Sequence, residues 1–177
     1  MKIILINGCY ENCEFHHKSI KKLCEYIYEK KHSYSLKNLK NLDINPCSGC
    51  DYCQIKNPGI CCKNDGMNDI LHEYLQSDIA IIVSPIQFGS CNSTTKFFLD
   101  RTQPLYLPYQ EIKRNVMKKR YNKYPNLIFI GISEEDNNKS IENFIETFKN
   151  CTLSLQSNKT DIKIVKNKYD IENFNFL

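Results

Sequence analysis

Asp78-Ile79-Ala80-Ile81-Ile82-Val83-Ser84 is the stretch that decides the fold. Five apolar residues run unbroken between two polar ones, and four of the five are Ile or Val. A strand with one wet face would alternate apolar and polar residues. An unbroken β-branched run instead needs cover on both faces, which parallel sheets receive from their crossover helices. The run is also too short for a buried helix. The chain around it should therefore alternate strands and helices.

It does so in both directions. Toward the N-terminus, Asn68–Gln76 reads as a short helix, with Asn64-Asp65 as its N-cap, and Ser33–Leu39 as a weaker strand. Lys18–Lys31 sets Ile20, Leu23, Cys24, Ile27 and Tyr28 at helical spacing, with Lys and Glu opposite. Lys2–Asn7 is a first strand that stops at Gly8. Toward the C-terminus, Pro85–Ser93 reads as a loop and Thr94–Leu105 as a helix. Leu127–Ser133 is a fourth strand. Lys139–Leu155 is a helix, with Ile141, Phe144, Ile145, Phe148 and Leu155 on one side, and Asp161–Val165 is a fifth strand. No repeat or low-complexity linker interrupts the pattern, so residues 1–177 form a single α/β domain with a doubly wound sheet. Ligands of such sheets lie at the carboxyl ends of the strands, where the strand order reverses.

Composition narrows the functional classes. Hydrophobic residues make up 41% and charged residues 25% of the chain, as in ordinary globular domains. The longest apolar runs, Ile3–Ile6 and Ile79–Val83, fall far short of the roughly 20 residues that span a bilayer. Met1-Lys2 leads directly into a strand rather than a secretory leader, so a cytoplasmic location is expected and no membrane partner. The net charge of +4 is too mild to attract nucleic acid, and only three of the basic residues are Arg, the better phosphate reader. The basic run Lys113–Lys123 reads as a solvated face; its sharper reading is attraction of a phosphorylated nicotinamide or an acidic redox partner. Tyr121 and Tyr124 are candidates for a subunit contact.

Ten cysteines are the outlier. Five of them, Cys47, Cys50, Cys53, Cys61 and Cys62, crowd into sixteen residues. In a reducing compartment such clustering serves metal binding or redox chemistry more often than disulfides. Thiolates two residues apart can wrap one face of a cubane cluster, as ferredoxin-type runs do, and the gap softened by Pro58 and Gly59 lets Cys61 or Cys62 fold back as fourth ligand. Four thiolates equally suit zinc, and a loop of reduced thiols without metal has the same spacing. His16 and His17 are adjacent near a helix start and point apart. One ion cannot use both, and they read as surface or capping residues.

Several stretches taken in order carry a family resemblance. Ser84-Pro85-Ile86-Gln87-Phe88-Gly89-Ser90 is followed by Lys96-Phe97-Phe98-Leu99-Asp100-Arg101, and upstream stand Pro46-Cys47-Ser48-Gly49-Cys50-Asp51-Tyr52-Cys53 and Asp65-Gly66-Met67. The chain resembles the NAD(P)H-dependent FMN reductase group of flavodoxin-like proteins, and within it the iron–sulfur flavoproteins, from Met1 to about Ser133. The resemblance implies a five-stranded parallel sheet of order 2-1-3-4-5 and a flavin site at Gly8, Cys9, Asn12, Cys13, His16, Pro85, Ile86, Gln87, Phe88, Gly89 and Ser90. It further implies a [4Fe-4S] cluster on Cys47, Cys50, Cys53 and Cys61, NAD(P)H or a ferredoxin-like protein as electron donor, and a homo-oligomer.

The first loop departs from the family. Its pattern is close to G-S-P-R-x-x-G-N-T, whose hydroxyls and backbone N–H groups hold the FMN phosphate at a helix N-terminus. Here Gly8 is kept, but Cys9, Tyr10 and Glu11 replace Ser, Pro and Arg, and Phe15-His16 falls near the closing Asn-Thr. A carboxylate from Glu11 or Glu14 about 4 Å from the phosphate would cost on the order of 4 kcal/mol at an effective dielectric near 20. The loop thus predicts weaker FMN binding than an intact one, with riboflavin little disadvantaged. The rival expectation is a flavodoxin-fold remnant that binds no FMN and serves as a metal-binding or interaction module.

Overall fold

The computed structural model describes residues 1–10, 12–111, 116–134, 137–150, 155–167 and 169–171. Strands β1 (Lys2–Asn7), β2 (Ser33–Asn38) and β3 (Ile79–Gln87) alternate along the chain with helix α1 (Glu14–Glu29), between β1 and β2, and with the short turn α2 (Tyr52–Ile55) and helix α3 (Met67–Gln76), between β2 and β3. A two-residue β4 (Ser90–Cys91), helix α4 (Ser93–Asp100) and a hairpin of β5 (Tyr106–Glu111) and β6 (Val116–Lys119) follow. The chain continues through β7 (Asn126–Ile132), α5 (Asn138–Asn150) and β8 (Thr160–Val165).

The parallel sheet runs β2-β1-β3-β7-β8. That is the expected order 2-1-3-4-5. Ile3 to Asn7 pair with Ile79 to Val83, and Ile79 to Pro85 pair with Asn126 to Ile132. β3 is therefore central, and its first seven residues are all buried. Its alternate side chains enter two cores. Ala80 and Ile82 join Ile4, Ile6, Leu127 and Phe129 against α3, α4 and α5, while Ile79, Ile81 and Val83 join Ile3, Leu5 and Ile130 against Ile20, Leu23 and Ile27 of α1. Each fully buried Ile contributes about 1.5–3 kcal/mol, so the unbroken apolar run is what two covered faces require.

Several expectations are corrected at the element ends. α1 begins at Glu14, four residues before the predicted Lys18. β3 continues three residues past Ser84 and pairs antiparallel with β4, so the first part of the expected Pro85–Ser93 loop is a hairpin. The predicted helix Thr94–Leu105 stops at Asp100 and resumes only as a 3₁₀ turn over Gln103–Leu105. The β5–β6 hairpin occupies the segment that the sequence presents as a charged connection; Lys113 and Arg114 within it lie outside the described residues. Tyr124 is no subunit contact: it is buried, and its hydroxyl donates to Leu105 O and accepts from the N–H groups of Arg120 and Tyr121. Among the described residues no helix is long and apolar enough to cross a membrane.

Candidate functional site

The strand order reverses between β1 and β3, and the loops leaving the carboxyl ends of β1, β3 and β7 meet there. They enclose a cavity of about 410 Å³, within the usual range for small-molecule sites. The first loop contributes Tyr10 and the start of α1 His16, the end of β3 and its turn Pro85 to Phe88, and the end of β7 with the loop after it Ile132, Ser133 and Glu134.

The second loop is a two-residue hairpin. Gln87 pairs with Ser90, and the linking Phe88 and Gly89 have φ of 49° and 78°. Left-handed conformation at both central positions is the type I′ turn that suits the twist of a tight hairpin. Gly adopts it freely, whereas Phe does not. Phe88 is nevertheless held there with its ring wholly in solvent. Gly89 N–H donates to Ser140 Oγ at 2.9 Å, which fastens the turn to α5.

Asn92 couples the second loop to the first. Its side-chain amide donates to Gly8 O at 2.6 Å, its oxygen caps α4 by accepting from Thr95 N–H, and its own N–H donates to Ser84 Oγ. Gly8 N–H donates to Val83 O at 2.9 Å, and a Cβ at Gly8 would meet Thr95 Oγ1 at 1.9 Å. Only glycine permits the loop to lie so close to α4. Sequence reasoning missed Asn92, although a polar residue before a helical run is the usual cap signal.

Beyond Gly8, the expected site residues separate. Cys9 is buried and lines a neighbouring cavity of about 550 Å³ with Asn7, Tyr10 and His16. Burial, and secondarily the Cys13 thiol, push its pKa up, so it is a neutral thiol at neutral pH. Asn12 is exposed. Cys13 is the N-cap of α1 and makes no side-chain cap bond, leaving the first-turn N–H groups without a side-chain acceptor from that position. Glu11 lies outside the described residues, and Glu14 is exposed and paired with Lys18 at 2.6 Å. The carboxylate that does face this turn is Glu134, which the sequence reading missed. Its Oε1 lies 3.1 Å from His16 Nε2 and accepts from Cys13 Sγ at 3.4 Å. His16 is buried at 2% exposure and stacks near Tyr10, correcting the surface assignment, while His17 is exposed. Burial lowers the His16 pKa more than Glu134 raises it.

The ring end of this cavity fits a flavin, with an aromatic free to cover a planar ring and an apolar rim at Pro85 and Ile86. The phosphate end fits in its backbone, through the first turn of α1, and not in its side chains, where a carboxylate stands.

The cysteine loop connects β2 to α3. Arg101, 1% exposed, closes its neck with bonds from Nη1 and Nη2 to the two carboxylate oxygens of Asp65 at 2.8 and 2.9 Å, and from Nη1 to Asn45 O at 2.7 Å. The N-cap of α3 is Gly66, which corrects the expected Asn64-Asp65 cap, although Asp65 Oδ1 accepts from Met67 N–H. Burial alone would raise the Asp65 pKa, but its hydrogen bonds from Arg101, Asn45 and Met67 and the Arg101 charge hold it below the ordinary value. Inside the neck, Cys47, Cys50 and Cys62 are exposed and Cys53 and Cys61 half-buried, none in a disulfide. Burial, with the thiols of Cys61, Cys47 and Cys50 adding, pushes Cys53 up to about 11. Cys50 Sγ lies 3.8 Å from Cys62 Sγ. The backbone N–H of Tyr52, then the side chains of Ser48 and Cys62, lower the Cys50 pKa. The donor set is chemically right for a thiolate-ligated metal.

A family model described as NADPH-dependent FMN reductase matches residues 1–122. The chain belongs to the NADPH-dependent FMN reductase family. Among curated proteins it is 34% identical over 73 residues to an iron–sulfur flavoprotein of Methanocaldococcus jannaschii, covering 41% of this chain and 37% of that protein. It is 28% identical over 105 residues to an iron–sulfur flavoprotein of Archaeoglobus fulgidus, covering 58% and 49%. The chain thus spans less than half the length of these relatives. A NAD(P)H:quinone oxidoreductase from Methanothermobacter marburgensis superposes with a TM-score of 0.71 at 11% identity, over 97% of this chain and 89% of that one. An azoreductase from Bacillus anthracis does so at 0.63 and 8%, over 96% and 88%. At such identities these two share the reductase fold and nothing finer.

Proposed function

We propose that the chain is an FMN-dependent oxidoreductase of this family, taking electrons from NAD(P)H or a ferredoxin-like donor and working as a cytoplasmic homo-oligomer. The observation that carries the reading is the cavity at the reversal of strand order, built from all three loops that leave the central strands. FMN, when bound, supplies the hydride and electron chemistry. The protein supplies position. Phe88 would cover one face of the isoalloxazine ring, Pro85, Ile86 and Gln87 would border its edge, and the first turn of α1 would donate backbone N–H groups to the phosphate. The hairpin and Asn92 fix these groups relative to one another. Cys47, Cys50, Cys53 and Cys61 would hold a [4Fe-4S] cluster that relays electrons, in keeping with the names of the curated relatives; zinc is the competing occupant.

Glu134 carries the negative charge beside the phosphate position that the sequence places on Glu11 and Glu14. Like charges repel, so the phosphate should add little affinity. Titrating flavin-free protein with FMN and with riboflavin, by quenching of flavin fluorescence, tests both statements. Both flavins should bind, riboflavin nearly as well as FMN. If neither flavin binds at micromolar concentration, the proposal is overturned in favour of a remnant that serves as a metal-binding or interaction module. FMN held far more tightly than riboflavin would overturn only the account of the phosphate end.

A further inference from the structure

We propose that Cys13, His16 and Glu134 form a second metal site, separate from the cysteine loop, that takes a single zinc-class divalent ion. Among the described residues they are the one group of three metal-ligating side chains whose ligand atoms all lie within 4.8 Å of one another. The loop thiols do not converge in this way.

Three observations carry the site. The first is spacing. Cys13 is the N-cap of α1 and His16 its third residue, the two positions whose side chain and backbone meet in a capping box, so both lie at the same end of the helix. Glu134 reaches the same place from the end of β7, 118 positions from His16 in the chain. The second is distance. Bonds of about 2.3 Å to sulfur and about 2.0–2.1 Å to nitrogen and oxygen place tetrahedral ligand atoms about 3.3–3.6 Å apart. His16 Nε2 and Glu134 Oε1 are 3.1 Å apart, and Cys13 Sγ and Glu134 Oε1 3.4 Å. The remaining pair, Cys13 Sγ with the His16 ring nitrogen, lies within 4.8 Å, and rotation of the half-buried Cys13 side chain can bring it to bonding geometry. The third is an unmet demand. His16 is 2% exposed, yet neither ring nitrogen makes a hydrogen bond. Nε2 lies beside Glu134 without the alignment of one. A buried polar atom without a partner is destabilising, and a metal bond to Nε2 would meet that demand.

The donor chemistry selects the ion. One thiolate, one imidazole and one carboxylate suit zinc, cobalt or copper and are too soft for magnesium or calcium. The partial positive charge at the start of α1, about half a unit, opposes a cation, but the two anionic ligands outweigh it. Three protein ligands leave a fourth position open, and two of the three, His16 and Glu134, line the cavity at the strand reversal.

Cobalt is the probe, because a thiolate ligand gives it a charge-transfer band and a tetrahedral site gives it strong visible bands. The full chain should be used without flavin, in a background with Cys47, Cys50, Cys53, Cys61 and Cys62 all replaced by Ser, so that the loop contributes nothing. One cobalt per chain should bind, with both sets of bands, and zinc should displace it. Cys13→Ser should abolish the charge-transfer band. Glu134→Gln, at a side chain 55% exposed and thus harmless to folding, should weaken binding by about tenfold or more. Should the loop background fail to fold, the same loss on Cys13→Ser and Glu134→Gln is read as one ion fewer per otherwise unchanged chain. Binding that neither substitution alters, or no cobalt beyond that held by the loop, would overturn the site. Flavin takes no part in the measurement, so its outcome is independent of the flavin proposal.

Discussion

Phe88 sits in a backbone conformation that L residues with a Cβ avoid, at a cost of about 1–2 kcal/mol, and buries nothing in return. Strain of this kind concentrates where a side chain must be presented rather than packed. Phe88→Asn, which tolerates the left-handed region, should therefore raise the urea midpoint by the equivalent of about 1 kcal/mol. It should also weaken flavin binding about three- to tenfold through loss of the aromatic face. A midpoint that stays level or falls would show that the conformation is not strained. At this scale the sequence was legible in part. The residues of the hairpin were visible, but their pairing was not, because Gln87-Phe88-Gly89-Ser90 lacks the Asn-Gly or Asp-Gly that advertises a type I′ turn. His16 was misplaced for a related reason. A Cys at the N-cap gives no start signal, so the sequence starts the helix at Lys18, four residues late, and His16 is left off the inward face that it shares with Ile20 and Leu23. Glu134 had one available cue, its place as the first acid after the fourth strand, where a doubly wound sheet builds its site.

The cysteine loop shows how elements are held by a single residue. Arg101, at the end of α4, binds Asn45 on one side of the loop and Asp65 on the other. Removing one partner of a buried ion pair leaves the other uncompensated, so Asp65→Asn should destabilise the fold by about 3–5 kcal/mol. The pH dependence has a definite sign. Because the folded Asp65 pKa is depressed, its contribution is complete above the unfolded value near 3.9 and is lost as pH falls through the lower folded value. Urea midpoints taken from about pH 5 down to about pH 2 should drop in the parent and drop less in Asp65→Asn. Equal acid slopes in the two proteins would refute that account. The Lys-Phe-Phe-Leu-Asp-Arg run drew attention to Arg101 through a resemblance; nothing in its periodicity said that it would be buried. The β5–β6 hairpin was less legible still, since its charged residues hide the alternation that marks a strand.

For the whole molecule, the parallel sheet could be read from the interior run of β3, but not the order of its strands. Periodicity reports which faces are covered and says nothing of neighbours, so the order 2-1-3-4-5 came from the resemblance. The cysteine spacing was equally plain, and four thiolates suit an iron–sulfur cluster and zinc alike. Purified without oxygen, the protein should be brown and contain iron and acid-labile sulfide in near-equal amounts, both lost in Cys47→Ser or Cys50→Ser. Zinc without sulfide in the loop would replace the cluster with a structural site. The neck at Arg101 bears on how the protein would survive the loss of such a cofactor. With Asn45 and Asp65 tied together, the intervening chain is already a closed ring whether or not its cysteines hold anything. The entropy of closing a loop grows only with the logarithm of its length, and here it is met by the ion pair rather than by the metal. Oxidative stripping would therefore set free a tethered surface loop while the sheet stayed folded beneath it, and reassembly would begin from ligands still held in one another's vicinity.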